Sequence, residues 1–143
     1  MKHFISINHI GYAVRNIHET AQKYLNAGWC ISDICEERVQ CARIAFLTKS
    51  GFPPIELVAP LKEGEASPVD TYLQRIGCCP YHICYDVDDI DIAVEDLFDE
   101  GFSPLFEPVE SVAMNGRRIC YLFNLQVGLI ELVENLNSDV FAK

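Results

Sequence analysis

Residues 8–14 read Asn-His-Ile-Gly-Tyr-Ala-Val, and residues 81–87 read Tyr-His-Ile-Cys-Tyr-Asp-Val. The likeness is not local. A slide of 73 positions lays 8–29 on 81–102, so that His9 meets His82, Tyr12 meets Tyr85, Val14 meets Val87, Ile17 meets Ile90 and Gly28 meets Gly101. A slide of 75 lays Arg43-Ile44-Ala45-Phe46-Leu47 on Arg118-Ile119-Cys120-Tyr121-Leu122. The same slide lays Ile55-Glu56-Leu57-Val58 on Ile130-Glu131-Leu132-Val133. The change of offset is one small loop difference. The chain therefore holds two copies of one unit of about 70 residues.

Each copy has a readable order. A strand (about 5–14, then 80–87) leads into an amphipathic helix. The apolar stripes are Ile17, Ala21, Tyr24, Leu25 and Ile90, Val94, Leu97, Phe98, both at helical spacing. Asn16 with Glu19, and Asp89, read as N-caps, and Gly28 and Gly101 as left-handed C-terminal residues. Strand-like runs follow at roughly 30–36, 41–48 and 53–58, then at 103–108, 117–123 and 127–133. The class is α+β, with two tandem βαβββ modules. Module 1 covers about 5–60, a Pro-, Gly- and Ser-marked linker about 61–78 with a short helix over 68–76, and module 2 about 79–136.

Composition bounds the function. The 143 residues suit one compact domain. A formal charge of −10 argues against a nucleic-acid surface, which needs clustered Lys and Arg. No run of residues is apolar enough to span a membrane, and the N-terminus reads straight into a strand rather than as a signal peptide. The seven cysteines are odd in number and lack a Cys-x-x-Cys, which argues for free thiols in a reducing, cytoplasmic setting.

The histidines decide the chemistry. Strand side chains alternate faces. Ile10, Tyr12 and Val14 take the face that packs on a helix, which leaves His9 beside Gly11 and Ala13. His82 shares its face with Cys84 and Asp86. In the last strands Glu56 and Glu131 oppose Ile55/Leu57 and Ile130/Leu132. A lone strand histidine reads as a satisfied structural residue, and a lone glutamate in Ile-Glu-Leu-Val as an edge charge. The repetition of both at matched places favours ligands. If the copies curl together, His9, Glu56, His82 and Glu131 converge. Burying two carboxylates together costs several kcal/mol unless a cation or a proton offsets them, and a divalent ion does so directly. Two imidazoles and two carboxylates suit one divalent Co, Mn, Ni, Zn or Fe ion better than Ca. His3, His18 and the acidic run 86–100 read as solvated.

These residues resemble the vicinal-oxygen-chelate superfamily of glyoxalase I, extradiol dioxygenases, drug-resistance proteins and methylmalonyl-CoA epimerase. Within it, Ile-Glu-Leu-Val-Ala-Pro-Leu (55–61), Ser67-Pro68 and the run from His82 to Ile90 are most similar to the epimerase branch. The resemblance implies a curved mixed sheet around a metal-binding cleft, in a single domain spanning 1–143. It implies His9, Glu56, His82 and Glu131 as metal ligands, and a homodimer. It further implies a carboxylate base that takes an α-proton from an acyl-CoA or other carbonyl acid, and an acid that returns one on the other side. Glu131 can double as ligand and acid–base. Ile44 stands where some epimerases carry a catalytic glutamate after Gln-Gly-Val, and the nearest titratable residues are Glu36, Glu37 and Arg43. Arg43, Arg117 and Arg118 are candidates for an anionic substrate. The alternatives are a glyoxalase-I-like isomerase of a glutathione adduct and a non-catalytic drug-binding module. The quartet argues against the second alternative, and Ile44 argues for it.

Overall fold

The computed structural model describes residues 1–135. Leu136, the last residue of the expected second module, lies outside them. The described residues form two compact units, one of His9–Tyr81 and one of Met1–Asn8 with the chain from His82 onward.

In the first unit, β1 (Ser6–Ala13, the unit holding it from His9) leads to α1 (Ile17–Leu25), β2 (Cys30–Ile31), β3 (Cys35–Glu37), β4 (Ala42–Thr48), β5 (Ile55–Pro60) and α2 (Asp70–Arg75). The sheet order is β2-β4-β5-β1, with β3 also on β4. β5 runs parallel to β1, and the other pairs are antiparallel. The second unit repeats the plan. β6 (Cys79–Val87, the unit holding it from His82) leads to α3 (Ile90–Asp99), β7 (Ser103–Pro104), β8 (Val109–Glu110), a 3-10 turn at Val112–Met114, β9 (Arg118–Asn124) and β10 (Gly128–Glu134). Its order is β6-β10-β9-β7, with β8 also on β9. Each unit is thus α+β with a mixed sheet.

Both helices start and stop as their sequences direct. The Asn16 side chain accepts from the Glu19 N–H at 3.0 Å, and Asp89 from the Ile92 N–H at 3.1 Å. Gly28 and Gly101 take φ of +88° and +93°, where a Cβ would be strained. Asp89→Ala is expected to lower stability by about 1 kcal/mol in a denaturant melt, the usual worth of such a cap. The stripes differ from expectation at their last member: Phe98 and Leu25 are exposed, and Ala93 joins Ile90 and Leu97 in the core. Eight residues along a helix rotate a side chain about 80° off the stripe, which puts it at the margin.

Two expected strands break. Between β2 and β3, the Ser32 hydroxyl accepts the Phe46 N–H at 2.8 Å and so takes a strand carbonyl's place. Between β7 and β8, Pro108 has no N–H to give a ladder. The β3–β4 turn is closed by Cys41, a non-glycine residue at φ +52°.

The core positions the site. In the first unit Ala45, Leu47, Ile55, Leu57 and Ala59 pack beneath α1 with Ile17 and Ala21. In the second, Cys120, Leu122, Ile130 and Leu132 pack on α3 with Ile90 and Leu97. Strand alternation then sends the intervening residues, Glu56 and Glu131 among them, to the face away from the helices.

Candidate functional site

In the first unit His9 and Glu56 are 0% and 1% exposed, and His9 Nε2 lies 3.5 Å from Glu56 Oε1. The parallel register sets Gly11 against Glu56, so His9 reaches the carboxylate from two residues earlier on β1. In the second unit His82 and Glu131 are 4% and 0% exposed, and His82 Nε2 lies 3.1 Å from Glu131 Oε2. Here the register sets Cys84 against Glu131, again two residues past the histidine. The same diagonal is built twice.

Each imidazole also meets an aromatic edge. The His9 and Phe46 rings are 5.4 Å apart at 80°, and the His82 and Tyr121 rings 5.1 Å apart at 86°. Phe46 pairs with Glu56 across β4–β5, and Tyr121 with Glu131 across β9–β10. Each ring thus packs edge-on against an imidazole and is the cross-strand neighbour of that imidazole's carboxylate. Sequence reasoning assigned them no role, although the slide of 75 superimposes them.

The predicted arginines occupy three different settings. Arg43 shares parity with Ala45 and Leu47, is exposed, and so lies on the face away from Glu56. Arg118 forks onto Glu134 (Nε 2.9 Å) and Asp91 (Nη2 3.0 Å). Those two carboxylates, Glu134 foremost, raise its pKa further. Arg117 precedes β9 in register with Ile119 and Tyr121, and its Nη1 lies 3.9 Å from Asp86 Oδ1. Asp86 in turn accepts from Ser6 Oγ at 2.7 Å and Asn8 Nδ2 at 2.9 Å. Ile44 is fully buried, opposite Val58 and on the Glu56 face. His3, 34% exposed, bonds Asp96 and, as the main cause, holds that carboxyl below its ordinary range. His18 is exposed.

All seven cysteines are free, and burial pushes the Cys120 thiol up to about 12, with the Glu131 charge adding to the effect. No described helix is long and apolar enough to cross a membrane.

Residues 8–121 match the model of the Glyoxalase/Bleomycin resistance protein/Dioxygenase superfamily. The chain belongs to that superfamily. Among its relatives is the mitochondrial methylmalonyl-CoA epimerase of Homo sapiens, 30% identical over 130 residues, which are 88% of this chain and 72% of the relative. Among solved structures, the Mycobacterium tuberculosis methylmalonyl-CoA epimerase superposes with a TM-score of 0.82 at 25% identity, over 98% of this chain and 94% of that one. A variant of the Streptomyces coelicolor methylmalonyl-CoA epimerase, in complex with 2-nitronate-propionyl-CoA, gives 0.78 at 27% identity over 92% and 98%. With this kinship, the superfamily member described here is an enzyme of the epimerase, or isomerase, kind.

Proposed function

We propose that this superfamily member epimerises a 2-substituted malonyl-CoA of the methylmalonyl-CoA type, with His9, Glu56, His82 and Glu131 holding one divalent metal ion. The observation that carries the reading is the twice-built, buried His–Glu diagonal on otherwise apolar strands. The donor set fits such an ion. Two carboxylates balance a 2+ charge, and two imidazoles favour Co, Mn, Ni, Zn or Fe over an all-oxygen Ca site. Burying the two carboxylates otherwise costs several kcal/mol each. When bound, the ion would supply Lewis acidity toward a thioester carbonyl and its neighbouring carboxylate.

The chain's own residues do the rest. Phe46 and Tyr121 keep the imidazoles oriented and exclude water. Glu131 moves a proton at the substrate α-carbon as well as serving as ligand. Arg117, half-buried near Asp86, suits the anionic end of the substrate. Arg118 has its charge matched by two acids, and Arg43 lies on the other face of its sheet, so both are weaker candidates. The reading includes a homodimer in the cytoplasm, consistent with seven free thiols.

Ile44 favours a second reading, a pocket that binds its ligand without turning it over. One experiment separates the readings. The metal-loaded protein is incubated with methylmalonyl-CoA in D2O, and α-deuterium is followed by mass spectrometry. Incorporation is the expected result. Its absence overturns the proposal, in favour of the glutathione-adduct isomerase if that substrate turns over and of simple binding if neither does.

A further inference from the structure

We propose that the cavity lined by Gly28, Cys30, Thr48, Lys49 and Ser50 receives the phosphate-bearing adenosine end of the acyl-CoA; this rests on the epimerase reading above and adds a binding site to it.

The cavity lies wholly in the first unit. It measures about 580 Å³, within the roughly 300–1,000 Å³ of small-molecule sites. Its lining offers one ammonium, two hydroxyls, a thiol and a bare glycine backbone, with no carboxylate. In a chain of formal charge −10 that is a local reversal of sign, which suits an anion.

The local chain builds this lining. Antiparallel pairing of β2 with β4 sets Cys30 opposite Thr48. β4 ends at Thr48, so Lys49 and Ser50 open the turn to β5. Gly28, at φ +88°, brings the chain from α1 into β2. Lys49 Nζ donates to the Ala27 carbonyl at 2.8 Å, which holds the ammonium at the cavity wall. One of its three N–H groups is used there, and two remain for an anion. A Cβ on Gly28 would stand 3.8 Å from Nζ, in the space beside the ammonium that the glycine leaves clear.

Phe52 supplies the other half. Its ring is 56% exposed, packs on Trp29 at 5.2 Å, and has Lys49 Nζ 5.8 Å from its centroid. An exposed aromatic face beside an ammonium and hydroxyls matches a nucleotide. The base stacks on the ring, and the phosphates take the charge and the hydroxyl donors.

The cavity also lies in line with a proposed ligand. Thr48 follows Phe46 by two residues on β4, and Phe46 pairs with Glu56. Residues two apart on a strand share a face and are about 7 Å apart. A thioester bound beside Glu56 can therefore send its pantetheine arm, which is longer than that step, toward the cavity.

The test compares methylmalonyl-CoA with methylmalonyl-pantetheine, the same thioester without the phosphorylated adenosine end, on the metal-loaded full chain in D2O. Lys49→Gln is expected to raise KM for the CoA ester on the order of tenfold, the lower worth of a hydrogen bond to a charged group, with kcat unchanged. Phe52→Ala is expected to raise it about fivefold or more, the worth of one stacked base. KM for the pantetheine ester is expected to hold in both variants. Lys23→Gln, which removes an exposed charge on α1, is expected to change neither ester. A Lys49 variant that alters both esters alike, or neither, overturns the proposal. If that variant does not fold, Phe52→Ala carries the same test with the same overturning results. Calorimetric titration with adenosine 3′,5′-diphosphate is independent of turnover: saturable binding by the wild type, lost in the Lys49 or Phe52 variant, is expected, and a wild type that binds none overturns the site. A wild type that exchanges neither ester yet binds the nucleotide overturns the epimerase reading and leaves the cavity's assignment to a nucleotide supported.

Discussion

Glu131→Gln is expected to reduce α-deuterium incorporation at least about a thousandfold, the largest effect of any single substitution in this chain. The proposed function gives this carboxylate two roles. As an acid–base group it contributes about 10²–10⁴ to a proton-transfer step. As a proposed ligand it would supply one of the two negative charges offered to the ion. The side chain is fully buried, and its Oε2 lies 3.1 Å from His82 Nε2. Glutamine keeps the shape and removes the charge. Stability should respond differently from activity. In the presence of a chelator the Gln variant is expected to melt within about 1 kcal/mol of the wild type, or above it, because a buried charge has been removed. With metal present it should fall below the wild type. Paired melts with and without chelator check both signs.

Metal itself is expected to be the second large effect. An ion that binds only the folded chain, at a thousand times its dissociation constant, adds about 4 kcal/mol. For a chain of this size that is a rise in melting temperature on the order of 10 °C. His82→Ala should abolish the rise while leaving the chelated protein folded, since the core beneath α3 does not include His82. Differential scanning calorimetry of the two proteins, with and without Co²⁺, is the check. An equal rise in both would show that the ion binds elsewhere.

The features read without coordinates share one property: they depend on local period or on duplication. Ile55 and Leu57 must face a helix, so Glu56 cannot, and the same holds at Glu131. The caps at Asn16 and Asp89 are local as well. What escaped the sequence depends on contacts between strands. The Phe46 and Tyr121 edges follow from pairing across β4–β5 and β9–β10. The burial of Glu37 follows from the β3–β4 register, and Cys41, left-handed at φ +52°, carries no glycine or asparagine signal that would announce that turn. The Arg118 fork joins residues 27 and 16 positions away. No spacing rule reaches that far.

The central claim is that two half-sites serve one ion. Metal titration of the chelator-stripped protein with Co²⁺, followed by calorimetry and elemental analysis, tests it most directly on the wild type, His9→Ala and His82→Ala. One ion per wild-type chain, and none retained at the same concentration by either variant, is the predicted result. A wild type that takes up no ion, or a variant in either unit that still binds with unchanged affinity, would contradict it.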